Sequence, residues 1–162
     1  MNKEHKKNPE IKLIGLSIRT NNSNERKPET AKIAAVASHY WSQSIANKII
    51  HRKNPGVTLA VYTEYDSNEH GDYTYFIGEE VDSFEDMPTT LQKLTIPAAT
   101  YQKFTTSPGK FPDIVINAWQ EIWKMTLDDF GGQRTYQADF EVYDKRAMAP
   151  NQAIVDIYLG IK

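Results

Sequence analysis

The sequence predicts an α+β domain. Two strand-helix-strand-strand units form one curved antiparallel sheet backed by two helices, with a ligand groove on the opposite face. Three observations predict it. β-prone and amphipathic helical runs follow one another in the same order twice along 162 residues, a length suited to one domain or two fused halves. One helix covers one sheet face, so each unit gains by sharing its sheet with the other. The halves also carry similar strands, Val61-Tyr62-Thr63-Glu64-Tyr65-Asp66 and Asp139-Phe140-Glu141-Val142-Tyr143-Asp144, each setting a glutamate among aromatic residues.

Residues 1–10 are charged and polar and read as a disordered tail, leaving residues 11–162 as the domain, with repeats over about 11–86 and 91–162. Ile11, Leu13, Ile14, Leu16 and Ile18 alternate well enough for a first strand. Asn21 to Pro28 is a polar loop. From Glu29 to about His51, apolar residues such as Ile33, Val36, Ala37, Tyr40 and Trp41 recur every three or four positions, which predicts a helix. Asn54-Pro55-Gly56 stops it. Val57 to Tyr65 and Tyr73 to Val81 are strands joined by an Asp/Asn/Gly-rich turn. In the second half, Leu91 to Ile96 and Thr100 to Thr106 are β-prone around Pro97-Ala98-Ala99. A helix is expected from about Phe111 to Leu127, with Ile114, Val115, Ala118, Trp119, Ile122 and Trp123 on one face. Strands at Tyr136 to Tyr143 and Ala153 to Ile161 close the chain.

Composition excludes several function classes. The net charge of −2 offers no basic surplus for nucleic acid or a membrane surface. No apolar run approaches the ~20 residues that span a bilayer, and the start lacks the apolar core of a secretory signal. There is no cysteine, so disulfides and thiolate ligands are absent and a cytoplasmic setting is expected. His5, His39, His51 and His70 have no metal-ligand spacing. No nucleophile elbow or phosphate-cradling glycine motif occurs. Neither a metal nor a cofactor is expected.

Six segments in order resemble the GyrI-like, or AraC-type effector-binding, superfamily. They are Gly15-Leu16-Ser17-Ile18-Arg19; Val61 to Asp66; Tyr73 to Val81 with Ile77-Gly78-Glu79-Glu80-Val81; Ile96-Pro97-Ala98-Ala99-Thr100-Tyr101 running on to Phe104; Trp119-Gln120-Glu121-Ile122; and Asp139-Phe140-Glu141-Val142-Tyr143. The resemblance covers roughly residues 11 to 162. It implies the same duplicated fold and a groove for hydrophobic, often cationic, small molecules, with a glutamate at the position of Glu141 meeting the ligand's charge. Many members carry a preceding DNA-binding domain. The ten polar residues before the first strand hold no helix-turn-helix, so the chain resembles stand-alone bacterial members. One branch of these, the integron-cassette type, binds cationic drugs in xenobiotic or toxin resistance. Another, the cyclopropanoid cyclopropyl hydrolases, opens cyclopropane rings of DNA-alkylating natural products. A third inhibits DNA gyrase by protein contact.

The candidate site residues follow from strand period and aromatic content. Glu141 and Tyr143 share one strand face, opposite Phe140 and Val142. With Phe140 and Val142 against the helices, Glu141 and Tyr143 would line the open face. A carboxylate walled by rings holds its field against screening, and ring faces attract cations. Glu64 and Tyr62 share a face in the same way. Glu64 either reaches the groove as the counterpart of Glu141, the two acting as acid and base on a water, or it closes the hairpin. Tyr40 and Trp41, on the first helix, serve either core or ligand platform. Tyr101 and Phe104 are expected as another groove wall, Trp123 as a residue reaching the groove, and Tyr136 as a further ligand contact. The segment Glu79 to Asp86, with five acidic residues, is either a contact face for a partner such as gyrase or a regulator, or a solvated loop. The expected activity is therefore small-molecule binding, with hydrolysis or protein interaction as alternatives.

Overall fold

The computed structural model describes residues 1–162. Its elements are β1 (Asn2–Asn8), β2 (Ile11–Thr20), α1 (Asn22–Glu25), α2 (Ile33–Ser42), a 3-10 turn (Ile45–Lys48), β3 (Thr58–Thr63), β4 (Tyr73–Glu80), β5 (Gln92–Ile96), β6 (Ala99–Thr105), α3 (Asp113–Trp123), α4 (Leu127–Phe130), β7 (Arg134–Tyr143), a second 3-10 turn (Lys145–Met148) and β8 (Asp156–Ile161). No helix is long and apolar enough to cross a membrane.

All eight strands lie in one antiparallel sheet, in the order β1-β6-β8-β7-β3-β4-β2-β5. The unit β2-α2-β3-β4 occupies one half and β6-α3-β7-β8 the other, meeting at the β7–β3 seam, where Ala60 pairs with Glu141 and Val61 with Phe140. The duplicated α+β architecture is therefore present.

The sheet is strongly curled, as its connections require. Strands β5 and β6 stand six places apart in the sheet order, about 29 Å if the sheet were flat. Only Pro97 and Ala98 join them, so their ends lie within about 11 Å of each other. The link from β1 to β2 imposes the same closure. Inside the curl, Leu13, Leu59, Val61, Phe76, Tyr101 and Phe140 make one core, in which Phe140 stacks on Tyr158 at 4.6 Å. Both helices pack on the outer face. Below α2 lie Ile14, Ala60, Tyr75 and Ile77; below α3 lie Phe104, Ile157, Leu159 and Ile161.

This corrects the expected position of the groove. Phe140 points into the curl, not at the helices, so the face opposite the helices is filled by the sheet's own side chains. Glu141 therefore points to the helix side, between α2 and α3.

Residues 1–10 are not a disordered tail: β1 pairs with β6 from Asn2↔Thr105 to Asn8↔Ala99. Backbone hydrogen bonds rather than apolar burial hold it, and an edge strand bearing Lys3, Lys6 and Lys7 resists pairing with other chains. The first helix is also shorter than expected. Ser44 takes a left-handed backbone (φ 48°) and ends it. Ile45 and Ile49, inside the stretch expected to be helical, are buried all the same, so apolar spacing there marks burial and not helix. Asp128 and Asp129 lie in the first turn of α4, where Asp129 completes a capping box with Thr126. Strands β2 and β4 approach so closely that a Cβ on Gly15 would lie 1.9 Å from the Ile77 carbonyl oxygen.

Candidate functional site

Between α2 and α3 the sheet floors a cavity of about 730 Å3. Glu141, Tyr62, Tyr75 and Tyr143 form its base, on strands whose register brings them to one face. The α2 wall presents Ile33, Ala34 and Ala37, and the α3 wall presents Val115, Ile116 and Trp119. The alanines of α2 are what leave room: larger residues there would fill the space that α3's rings face. At the mouth, Phe111 and Trp123 are about half exposed. Apolar surface of this kind, with few convergent polar groups, is what a small-molecule site offers.

The carboxylate of Glu141 is 3% exposed. Trp119 Nε1 donates to its Oε2 at 2.7 Å and the Tyr62 hydroxyl at 3.0 Å. The Tyr143 hydroxyl donates to Oε1 at 2.5 Å. Burial pushes its pKa above the ordinary carboxylate range, while the three hydrogen bonds pull it back; no cation contributes. Glu141 is thus a desolvated carboxyl held by neutral donors alone, and in its ionised form its charge is unmatched. The rings around it are locked edge to face. Tyr62 meets Trp119 and Tyr75 in this way, each at 5.5 Å between centroids, while Trp119 meets Trp123 in a tilted arrangement at 6.4 Å. Burial raises the hydroxyls of Tyr62 and Tyr143 well above their ordinary value, and the Glu141 charge adds to it, so both remain donors at neutral pH.

A second polar knot stands two residues along β7. Asp139 is fully buried and accepts from Tyr65 (2.7 Å), Arg134 (2.6 Å) and the Gly160 amide (2.9 Å). The pairing of β7 with β8 shifts between Arg134 and Asp139. Tyr136 within that shift has a left-handed backbone (φ 52°) and carries the Arg134 guanidinium on its ring at 4.4 Å. The bulge aims Arg134 back toward the cavity rim, which it lines.

Of the residues singled out in the sequence, Glu141, Tyr143, Tyr62 and Trp123 come together in this cavity. The others do not. Glu64 stands one residue beyond β3 with φ 50°; its side chain is exposed and its carbonyl accepts from Arg19, so it closes the hairpin. Arg19, which also pairs with Asp66 at 2.6 Å, pins that turn. Tyr40 is buried under α2, its hydroxyl 3.3 Å from that of Thr58. Trp41 points outward, 45% exposed. Tyr101 is buried within the curl and Phe104 under α3. Tyr136 lines an adjoining cavity. The expected acidic face is partly interior: Glu79 is 2% exposed and 3.6 Å from Arg52.

Sequence reasoning missed Tyr75 and placed Trp119 only on the apolar face of its helix. Both were within reach. Tyr75 shares a face with Tyr73 and Ile77 by the strand period, and Trp119 is one turn from Trp123 on a helix expected to cover Glu141's strand.

Comparison with known proteins gives a consistent set of likenesses. A family described as Cass2, integron-associated effector binding protein, matches residues 6–161. YobU of Bacillus subtilis (strain 168), a proposed transcriptional regulator protein, is 32% identical over 151 residues, spanning 93% of this chain and 92% of YobU. The integron cassette protein VCH_CASS2, from the mobile metagenome of Vibrio cholerae, shares the fold at a TM-score of 0.77 and 22% identity, over 99% of this chain and 95% of that one. SAV2435, solved bound to tetraphenylphosphonium, shares it at 0.77 and 17% identity, over 100% and 94% of the two chains.

Proposed function

The chain belongs to the Cass2 integron-associated effector-binding family, and from that premise we propose that it binds hydrophobic, aromatic cations between α2 and α3 with Glu141 as counter-charge. The observation that carries this reading is the buried Glu141 carboxylate, satisfied by Tyr62, Trp119 and Tyr143 but matched by no positive charge. A lipophilic cation supplies the missing charge and brings little hydration to be lost. Ring faces in the walls add cation–π attraction of about 0.5–2 kcal/mol each. The donors around Glu141 are already in place, so binding requires little reorganisation.

Sequestering such cations fits a role in bacterial xenobiotic or toxin resistance, exercised in the cytoplasm. Ring-opening hydrolysis by a Glu64–Glu141 pair finds no support, because Glu64 lies in the hairpin turn. Contact with gyrase draws no feature of its own from the surface, since the acidic segment that motivated it buries Glu79 against Arg52.

Trp119 and Trp123 provide the assay. Tetraphenylphosphonium is expected to quench their emission saturably and to bind at least about tenfold more tightly than neutral triphenylphosphine oxide, an advantage of about 1.4 kcal/mol. Equal affinity for the two compounds would remove the role assigned to the charge.

A further inference from the structure

Beside the main cavity lies a second one of about 370 Å3. Its polar lining includes Asn22, Arg26, Glu69, His70, Arg134 and Tyr136. Asn22, Arg26, Glu69, Trp123 and Arg134 also line the main cavity, so the two spaces share a wall. Their characters differ: the main cavity is mostly apolar, the second mostly polar.

Two atoms in the shared wall have unused hydrogen-bonding capacity. Arg134 spends one Nη on Asp139 at 2.6 Å and its side chain is only 10% exposed, yet its Nε–H is buried without a partner. Glu69 Oε2 is likewise buried and unpartnered. The Tyr136 hydroxyl leans on the Glu69 carboxyl and holds it below its ordinary range, but closes no hydrogen bond to Oε2. Folded chains seldom leave such groups unfilled. Here one is a donor and the other an acceptor, in the wall between two cavities. Glu69 belongs to the β3–β4 connection and its side chain is 39% exposed, so it has freedom to swing and admit a group between them.

We propose that the second cavity is an annexe for an uncharged polar arm of the ligand, a primary amide or equivalent, accepting from Arg134 Nε–H and donating to Glu69 Oε2. The proposal rests on the reading above, in which the ligand's cationic aromatic end lies against Glu141. Spacing is compatible with both ends being held at once. Asp139 and Glu141 are two residues apart on β7, about 7 Å, and Arg134 is bonded to Asp139, so a chain of four or five methylenes joins the two ends. A carboxylate arm would meet the ionised Glu69, and a plain alkyl arm would leave both atoms unfilled.

The test compares hexyltriphenylphosphonium with the same cation whose chain ends in a primary amide, by calorimetry on the full chain. The amide-ended compound is expected to bind about tenfold more tightly. Arg134→Lys keeps a positive charge facing Asp139 but lacks Nε–H, and is expected to bring the ratio of affinities close to one. Glu69→Ala should reduce the ratio without abolishing it. Equal, tight binding of the two compounds to the wild-type chain overturns the annexe and leaves the Glu141 reading intact. Failure of both compounds to bind overturns both readings. A tenfold preference that survives Arg134→Lys also overturns the assignment.

Discussion

Replacing Glu141 by glutamine removes the charge of the cavity base while keeping its shape. Trp119 can only donate, and it shares Oε2 with Tyr62, so the amide oxygen is expected to take that side. The amide nitrogen then faces Tyr143, whose hydroxyl can rotate to accept. Trp119, Tyr62 and Tyr143 each keep a hydrogen-bond partner in the side chain, so E141Q should fold. The loss in binding follows from Coulomb's law. A unit cation about 5 Å from the carboxylate, at an effective dielectric near 20, is held by about 3 kcal/mol. The half-exposed mouth at Phe111 and Trp123 admits water and lowers this to about 2 kcal/mol, roughly a 30-fold loss of affinity. Titrating tetraphenylphosphonium against tryptophan emission measures it, and triphenylphosphine oxide should bind wild type and E141Q alike. If E141Q holds the cation within threefold of wild type while melting at the same temperature, the electrostatic argument is wrong.

The remaining predictions use the same assay or simple unfolding. The raised pKa of Glu141 means that cation affinity is full above it and falls as pH drops through it; E141Q should show a flatter profile. Stability runs the other way. Between the ordinary carboxylate pKa and the raised one the folded chain holds the extra proton, so wild type should lose stability relative to E141Q as pH rises across that window. Tyr143→Phe removes the only donor to Oε1, which should destabilise the fold by about 2 kcal/mol and move the pH midpoint of binding upward. Glu64→Gln should leave affinity within twofold, and a larger drop would return Glu64 to the site. Gly15→Ala forces a methyl into the Ile77 carbonyl and should lower stability by about 3 kcal/mol, read as a shifted denaturation midpoint.

The sequence carried the architecture further than the site. Alternation and helical period locate the strands and the cores of both main helices because burial imposes those periods, as Ile14, Tyr40, Ile122 and Ile157 demonstrate. β1 escaped because main-chain pairing leaves no period in its exposed side chains. The face on which the cavity lies escaped for another reason. Phe140 and Tyr143 look equally fit to lie under a helix, and the choice between faces is made by the direction in which the whole sheet curls, which no single strand's period records. Glu64 was misleading by a single position. One residue past Thr63 the chain leaves the strand, and the period-two rule no longer says where a side chain points.

The seam between β7 and β3 has a kinetic consequence. Glu141, Trp119 and Tyr143 come from one repeat, and Tyr62 and Tyr75 from the other; Ala60 and Glu141 pair although they are 81 positions apart in the chain. Neither repeat alone contains a binding site. Such long-range pairing is the slow part of assembling a sheet, so a ligand has little to grip in a chain whose halves have not yet zipped together. A bound cation should therefore lengthen the lifetime of the folded state by slowing its unfolding, and leave the rate of folding almost untouched.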